Sequence, residues 1–145
     1  VNDIYSPVSQ GASYVPPGEP IYEDRPFEYV YNPPNGQLTA NQFLNPDSVA
    51  IETDADFWCA GWYLAQYTGP FTILLLDSQG TALQSAPIYS AALSLSSSNP
   101  TILSPGHPFP AGGKIQIIIQ DVSGETNPLQ IVFKGWKRFR LRRQG

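Results

Sequence analysis

Charge is scarce in this sequence. Charged residues make up 14% of the 145 positions, against 41% apolar and 12% aromatic, and a disordered chain would carry fewer aromatics than this. Methionine is absent, and there is one cysteine, Cys59, and one histidine, His107. A single cysteine excludes an intramolecular disulfide and a cysteine-built zinc site. Because it lies inside an apolar run, Cys59 reads as a buried, inert thiol. A single histidine excludes a metal site of several imidazoles and makes any Ser–His–acid triad depend on His107. That residue sits between Gly106 and Pro108 in an expected turn, and no G-x-S-x-G elbow surrounds the nearby Ser104. Gly112-Gly113 is not followed by a Lys-Ser/Thr helix start and reads as a turn rather than a phosphate cradle. No run of about 18 apolar residues exists to form a transmembrane helix. The first residues, Val-Asn-Asp-Ile-Tyr-Ser-Pro, lack the basic flank and apolar stretch of a signal peptide. The expectation is a chain made in a reducing cytoplasm, without a cofactor, a metal or a membrane partner, and not an enzyme.

What is abundant is turn chemistry: 15 prolines and 12 glycines, the composition of a β-rich chain. In residues 1–25, Pro7, Pro16, Pro17 and Pro20 rule out helix and interior strand. Tyr5, Tyr14, Ile21 and Tyr22 punctuate the same stretch, so it reads as an extended N-terminal arm that docks on a surface. From Pro26 on, strands are expected at Phe27–Tyr31, Gln37–Leu44, Ser48–Glu52, Phe57–Tyr67, Phe71–Leu76, Thr81–Ser85, Ile88–Leu95, Thr101–Leu103 and Lys114–Asp121. Val122-Ser123-Gly124-Glu125 is expected to form a hairpin returning through Leu129, Ile131 and Phe133. Trp58, Ala60, Trp62 and Leu64 are expected on one, core-facing side of their strand, with Tyr63 and Tyr67 outward. The run Phe71–Leu76 reads as a strand buried on both faces. No window of ten or more residues shows helical periodicity. The fold class is all-β: an antiparallel β-sandwich, with a jelly roll as the specific expectation and an immunoglobulin-like order as runner-up. The division is arm 1–25, sandwich 26–136 and basic C-terminal tail 137–145.

The few charges present are sorted by position. The front segment, residues 1–56, holds nine of the twelve acids and a single base, Arg25, while six of the eight bases fall in 134–145: Lys134, Lys137, Arg138, Arg140, Arg142 and Arg143. Such a layout suits chain ends that grip other surfaces, including copies of the same chain, better than a cleft focusing one sign of potential. In an extended tail Arg138, Arg140 and Arg142 would face one way and Phe139 and Leu141 the other. The guanidinium row could pair with carboxylates or with phosphates. The net charge of −4 disfavours nucleic acid and favours an acidic protein surface. Tyr5, Tyr14, Tyr22, Lys137, Arg138, Arg140, Arg142 and Arg143 are the candidate partner-binding residues. Glu52, Asp54 and Asp56 alternate and could hold a hard cation or supply a carboxylate pair for glycoside hydrolysis, with a solvated acidic edge as the plainer reading. Trp58, Trp62, Tyr63 and Tyr67 could stack on sugars, with core packing as the plainer reading.

Phe109-Pro110-Ala111-Gly112-Gly113-Lys114-Ile115-Gln116-Ile117, then Asp121-Val122-Ser123-Gly124, Asn127 to Phe133 and Gly135-Trp136-Lys137-Arg138-Phe139 resemble small structural proteins of tailed bacteriophages. The likeness spans roughly residues 57–140 and is to head cement or decoration proteins. It implies a jelly-roll domain on the capsid exterior of a virion, locking neighbouring major capsid protein subunits together, with self-association as a homodimer or homotrimer. A tail or fibre module binding host surface glycans is the alternative.

Overall fold

The computed structural model describes residues 20–141. It contains strands β1 (Ile21–Tyr31), β2 (Gln37–Leu38), β3 (Phe43–Ala50), β4 (Asp56–Tyr67), β5 (Phe71–Leu76), β6 (Ile88–Tyr89), β7 (Thr101–Phe109), β8 (Lys114–Asp121) and β9 (Asn127–Leu141). The only helical turns among the described residues are short 3-10 segments at Pro34–Gly36 and Ser90–Ala92. The strands form an antiparallel β-sandwich. One sheet runs β1-β9-β4-β7, with β2 also on β9, and the other runs β3-β8-β5-β6. With β2 set aside, the pairs are nested: β1 with β9, β3 with β8, β4 with β7 and β5 with β6. The chain is therefore a long hairpin folded over itself. Two further pairings, β9 with β4 and β8 with β5, join its quarters into sheets.

Alternation decides which side chains enter the core. Phe71, Ile73 and Leu75 of β5, Ile115, Ile117 and Ile119 of β8, and Leu129, Ile131 and Phe133 of β9 are all buried. With the β9 residues, Tyr29, Tyr31, Phe57, Trp62 and Leu64 make up the first sheet's share of this core. The β1 tyrosines also close one open side of the sandwich. Tyr31 donates its hydroxyl hydrogen to the Asp47 carboxylate at 2.8 Å, and the Glu52 amide donates to the Tyr29 hydroxyl at 2.9 Å.

Several local expectations are corrected. Residues 21–25 and 137–141 are neither arm nor tail but paired strand, with Ile21 opposite Leu141 and Arg25 opposite Lys137. Backbone pairing holds these segments in place, with Lys137 buried, Ile21, Glu23, Arg138 and Phe139 half-buried and the rest exposed. A register shift between Cys59 and Gly61 splits the expected Trp58/Trp62 face. It turns Phe57 and Cys59 inward before the shift and Trp62 and Leu64 inward after it, leaving Trp58 on the outer face. Glycine is required there, because a Cβ at Gly61 would lie 2.6 Å from the Thr101 carbonyl oxygen.

The expected turn at Pro105–Pro108 is part of β7, an edge strand in which a missing proline N–H breaks no ladder. Conversely Ile88–Leu95 is strand only at Ile88–Tyr89. Buried Ser90 then accepts a hydrogen bond from the Phe71 amide at its hydroxyl and turns the chain. Thr81–Ser85 contributes only a bridge between Leu76 and Ala82. The segment after Asp121 is not a hairpin but a corner between sheets, since β8 and β9 belong to different ones. Asp121 fixes this corner by accepting hydrogen bonds from the amides of Asn41, Ser123 and Gly124, from the Ser123 hydroxyl and from Asn127 Nδ2. Asn127 in turn donates to the carbonyls of Gly69 and Pro70.

Candidate functional site

The sequence sorts its acids to the front and its bases to the back, and the fold pairs the first and last described strands, β1 and β9. Lys137 lies on the inner side of β9, opposite Phe57 and Arg25, and is only 4% exposed. Its ammonium group sits 4.0 Å from the centroid of Phe27 and 5.8 Å from that of Tyr29. It donates to Glu52 and, at 3.0 Å, to both oxygens of Asp54. Burial works against the charge of Lys137, but these hydrogen bonds outweigh it and hold its pKa above the ordinary lysine value. Two of the three acids considered as a cation site thus already carry the chain's own cation. The third, Asp56, accepts a 2.8 Å hydrogen bond from the Ala111 amide. Among the described residues no cluster of His, Cys, Asp or Glu has metal-binding geometry.

Arg138 projects from the opposite side of β9. It forms a two-point pair with Asp24, 2.8 Å from Nε and 2.9 Å from Nη2. This pairing holds the Asp24 carboxyl below its usual range and raises the arginine. The guanidinium carbon lies 5.0 Å from the Trp58 ring centroid and 5.7 Å from that of Tyr22. Trp58 in turn lies parallel to Trp136, 6.4 Å between centroids. Tyr22, Arg138, Trp58 and Trp136 form a ladder across β1, β9 and β4, and Arg25 over Phe139 adds a contact at 4.6 Å on the same two terminal strands.

Of the candidate partner-binding residues, Tyr22 is 53% exposed and stands opposite Arg140, also exposed. These two are open to a partner. Lys137 and Arg138 are engaged within the chain, and Lys137 has no surface to offer. Tyr5, Tyr14, Arg142 and Arg143 lie outside the described residues. His107 stands in β7 opposite Cys59, with its ring against Phe109. Burial pushes the Cys59 thiol up to about 12.

The two outer faces differ in character. The outward positions of the first sheet include Asp24, Glu28, Lys134, Arg138 and Arg140. Beside them is an open depression of about 510 Å³ lined by Pro26, Phe27, Glu28, Lys134 and Gly135. The outward positions of the second sheet are nearly free of charge: on β8 Lys114 is followed by Gln116, Ile118 and Gln120, and β5 and β6 present no charged side chain. The reading of β5 as buried on both faces is corrected there, since Thr72, Leu74 and Leu76 are only half-buried. This charge-poor face was not legible in the sequence because neighbours across a sheet are set by register, which alternation along one strand does not reveal. No family model, no curated protein and no solved structure matches the chain.

Proposed function

We propose that this chain is a non-enzymatic virion structural protein that cements a phage capsid by bridging neighbouring major capsid protein subunits. The observation that carries the reading is the pairing of Ile21 with Leu141. It sets the first and last described strands side by side, with exposed Tyr22 and Arg140 opposite each other. Segments attached to two adjacent strands can hold one neighbour together, adding contact area that a compact domain lacks. The nested pairing of the eight longer-range strands supports a jelly roll, an architecture used in viral shells and in lectins. Opposite charge at the two ends favours register and partner choice at such contacts.

The glycan-binding alternative needs an open tryptophan face. Trp62 is 3% exposed, and one side of Trp58 carries the Arg138 guanidinium, which weighs against it. Co-sedimentation with phage heads stripped of accessory proteins tests the proposal. Saturable binding at fixed stoichiometry, weakened by salt and by the double substitution Arg142→Glu, Arg143→Glu, is the expected result. Absence of binding to heads at low salt would contradict it.

A further inference from the structure

The first sheet's outer face carries a transverse row that crosses all four strands in register: Pro26, Trp136, Trp58 and Pro108. The prolines are exposed and the tryptophans half-buried, so two rigid pyrrolidine rings flank two parallel indoles on one strip. Aromatic-lined surfaces of this kind suit extended proline-bearing chains, which are already ordered and lose little entropy on docking. The open depression bordered by Pro26 and Gly135 lies next to Trp136 and leaves room for a further ring. From the row towards Ile21 and Leu141, β9 presents Arg138 and then Arg140 on the same face. Arg138 is held by Asp24, but among the described residues no carboxylate pairs with Arg140.

We infer that residues 1–19 of the same chain dock on this row. The segment carries Pro7, Pro16 and Pro17 among Tyr5, Tyr14 and Val15, and its only charged side chains are Asp3 and Glu19. Glu19 is three residues from Tyr22, which stands opposite Arg140, so it is the carboxylate within reach of that base. The point of entry also fits. Ile21 begins β1, the strand that bears Pro26, so the row lies roughly 17 Å along the strand at about 3.4 Å per residue. A segment of this length spans up to roughly 60 Å, and Pro17-Gly18 is the dipeptide of a type II turn, which sends a chain back over its own sheet. Tethering decides between this segment and a separate molecule. One row of four side chains is far smaller than the roughly 800 Å² per partner of a stable interface. A short flexible link, however, raises the effective concentration to about millimolar, so a contact too weak to hold a free chain is filled from within. A neighbour that takes up the segment must compete with this contact. The contact belongs to the free protein and does not depend on the shell-binding reading.

Spin labelling of the full chain, read by nuclear magnetic resonance, tests it. A nitroxide on Ser13→Cys is site-specific because Cys59 is buried. It should weaken the amide signals of Trp58 and Trp136 at least several-fold more than those of Thr72 and Gln120, which lie on the second sheet. Adding Pro16→Ser and Pro17→Ser to the same chain should remove most of that difference, with an unchanged melting curve. When the nitroxide sits on one copy and the isotope label on another, mixing the two should leave the Trp58 and Trp136 signals at full intensity. Equal weakening on both sheets, or stronger weakening at Thr72 and Gln120, overturns the inference. So does weakening in the mixture, which would make another copy the occupant, or a contact indifferent to the two proline substitutions.

Discussion

Lys137 and Asp54, 83 residues apart, are joined by two hydrogen bonds of 3.0 Å, with the lysine ammonium group over the Phe27 ring. The pair closes one end of the sandwich and ties the last strand to the β3–β4 loop. Glu52 and Asp54 remain 60% and 49% exposed at their side chains. Losing the lysine therefore does not strand a buried charge, which would cost about 3–5 kcal/mol. Lys137→Met, keeping the stem, should cost about 1–2 kcal/mol by chemical denaturation, and Lys137→Glu clearly more. Because the folded pKa is raised, the lysine's contribution is complete below its ordinary value and is lost as pH rises through the raised one. The wild type should lose stability at alkaline pH more steeply than Lys137→Met, and parallel curves would contradict this.

Gly135 faces the backbone of β4 so closely that a Cβ would lie 1.8 Å from the Trp58 carbonyl oxygen. No flexible side chain can yield there, since the obstacle is the neighbouring strand itself. Gly135→Ala should abolish soluble folded protein, read by expression and far-ultraviolet dichroism. Gly124→Ala serves as the control: its added Cβ meets nothing within 4 Å, and its positive φ of 76° imposes only local strain, a cost of about 1 kcal/mol.

Burial works to raise the Asp121 carboxyl, but hydrogen bonds from Ser123, Asn41 and Asn127 bring it down to about 2. A depressed carboxylate stabilises the fold above its unfolded pKa, near 3.9, and that contribution is lost as pH falls towards 2. Asp121→Asn should cost about 2 kcal/mol at neutral pH and flatten the acid limb of the stability curve between these values. An acid limb unchanged by the substitution would show that another group governs it.

Cys59 is fully buried, and its thiol is pushed up to about 12. Ellman's reagent should leave it unmodified in native buffer and react with one thiol per chain in denaturant. Rapid labelling of native protein would contradict the burial of β4's inner face.

Much of the fold was legible because single strands announce themselves. The isoleucines at 115, 117 and 119 and the aromatics at 27, 29 and 31 all turn the expected side inward. What was not legible depends on pairs distant in sequence. The shift at Cys59–Gly61 that separates Trp58 from Trp62 arises from β7 and β9 together. The run Phe139–Leu141 looked like a tail because nothing in it names β1 as its partner. The charge sorting was visible, but not that Lys137 and Arg138 would find their carboxylates within the chain. Removing residues 137–145 as a dispensable tail would therefore strip the outer part of β9 and the Lys137 bridge, so Arg142 and Arg143 are the positions that probe attachment.

The central claim, that the protein cements a capsid shell, is tested most directly by the heat resistance of the shell itself. Stripped phage heads would be warmed with and without saturating protein, and DNA release followed with an intercalating dye. A release temperature that rises with protein and levels off at fixed stoichiometry is the predicted result. An unchanged release temperature, with protein present in excess at low salt, would contradict the account.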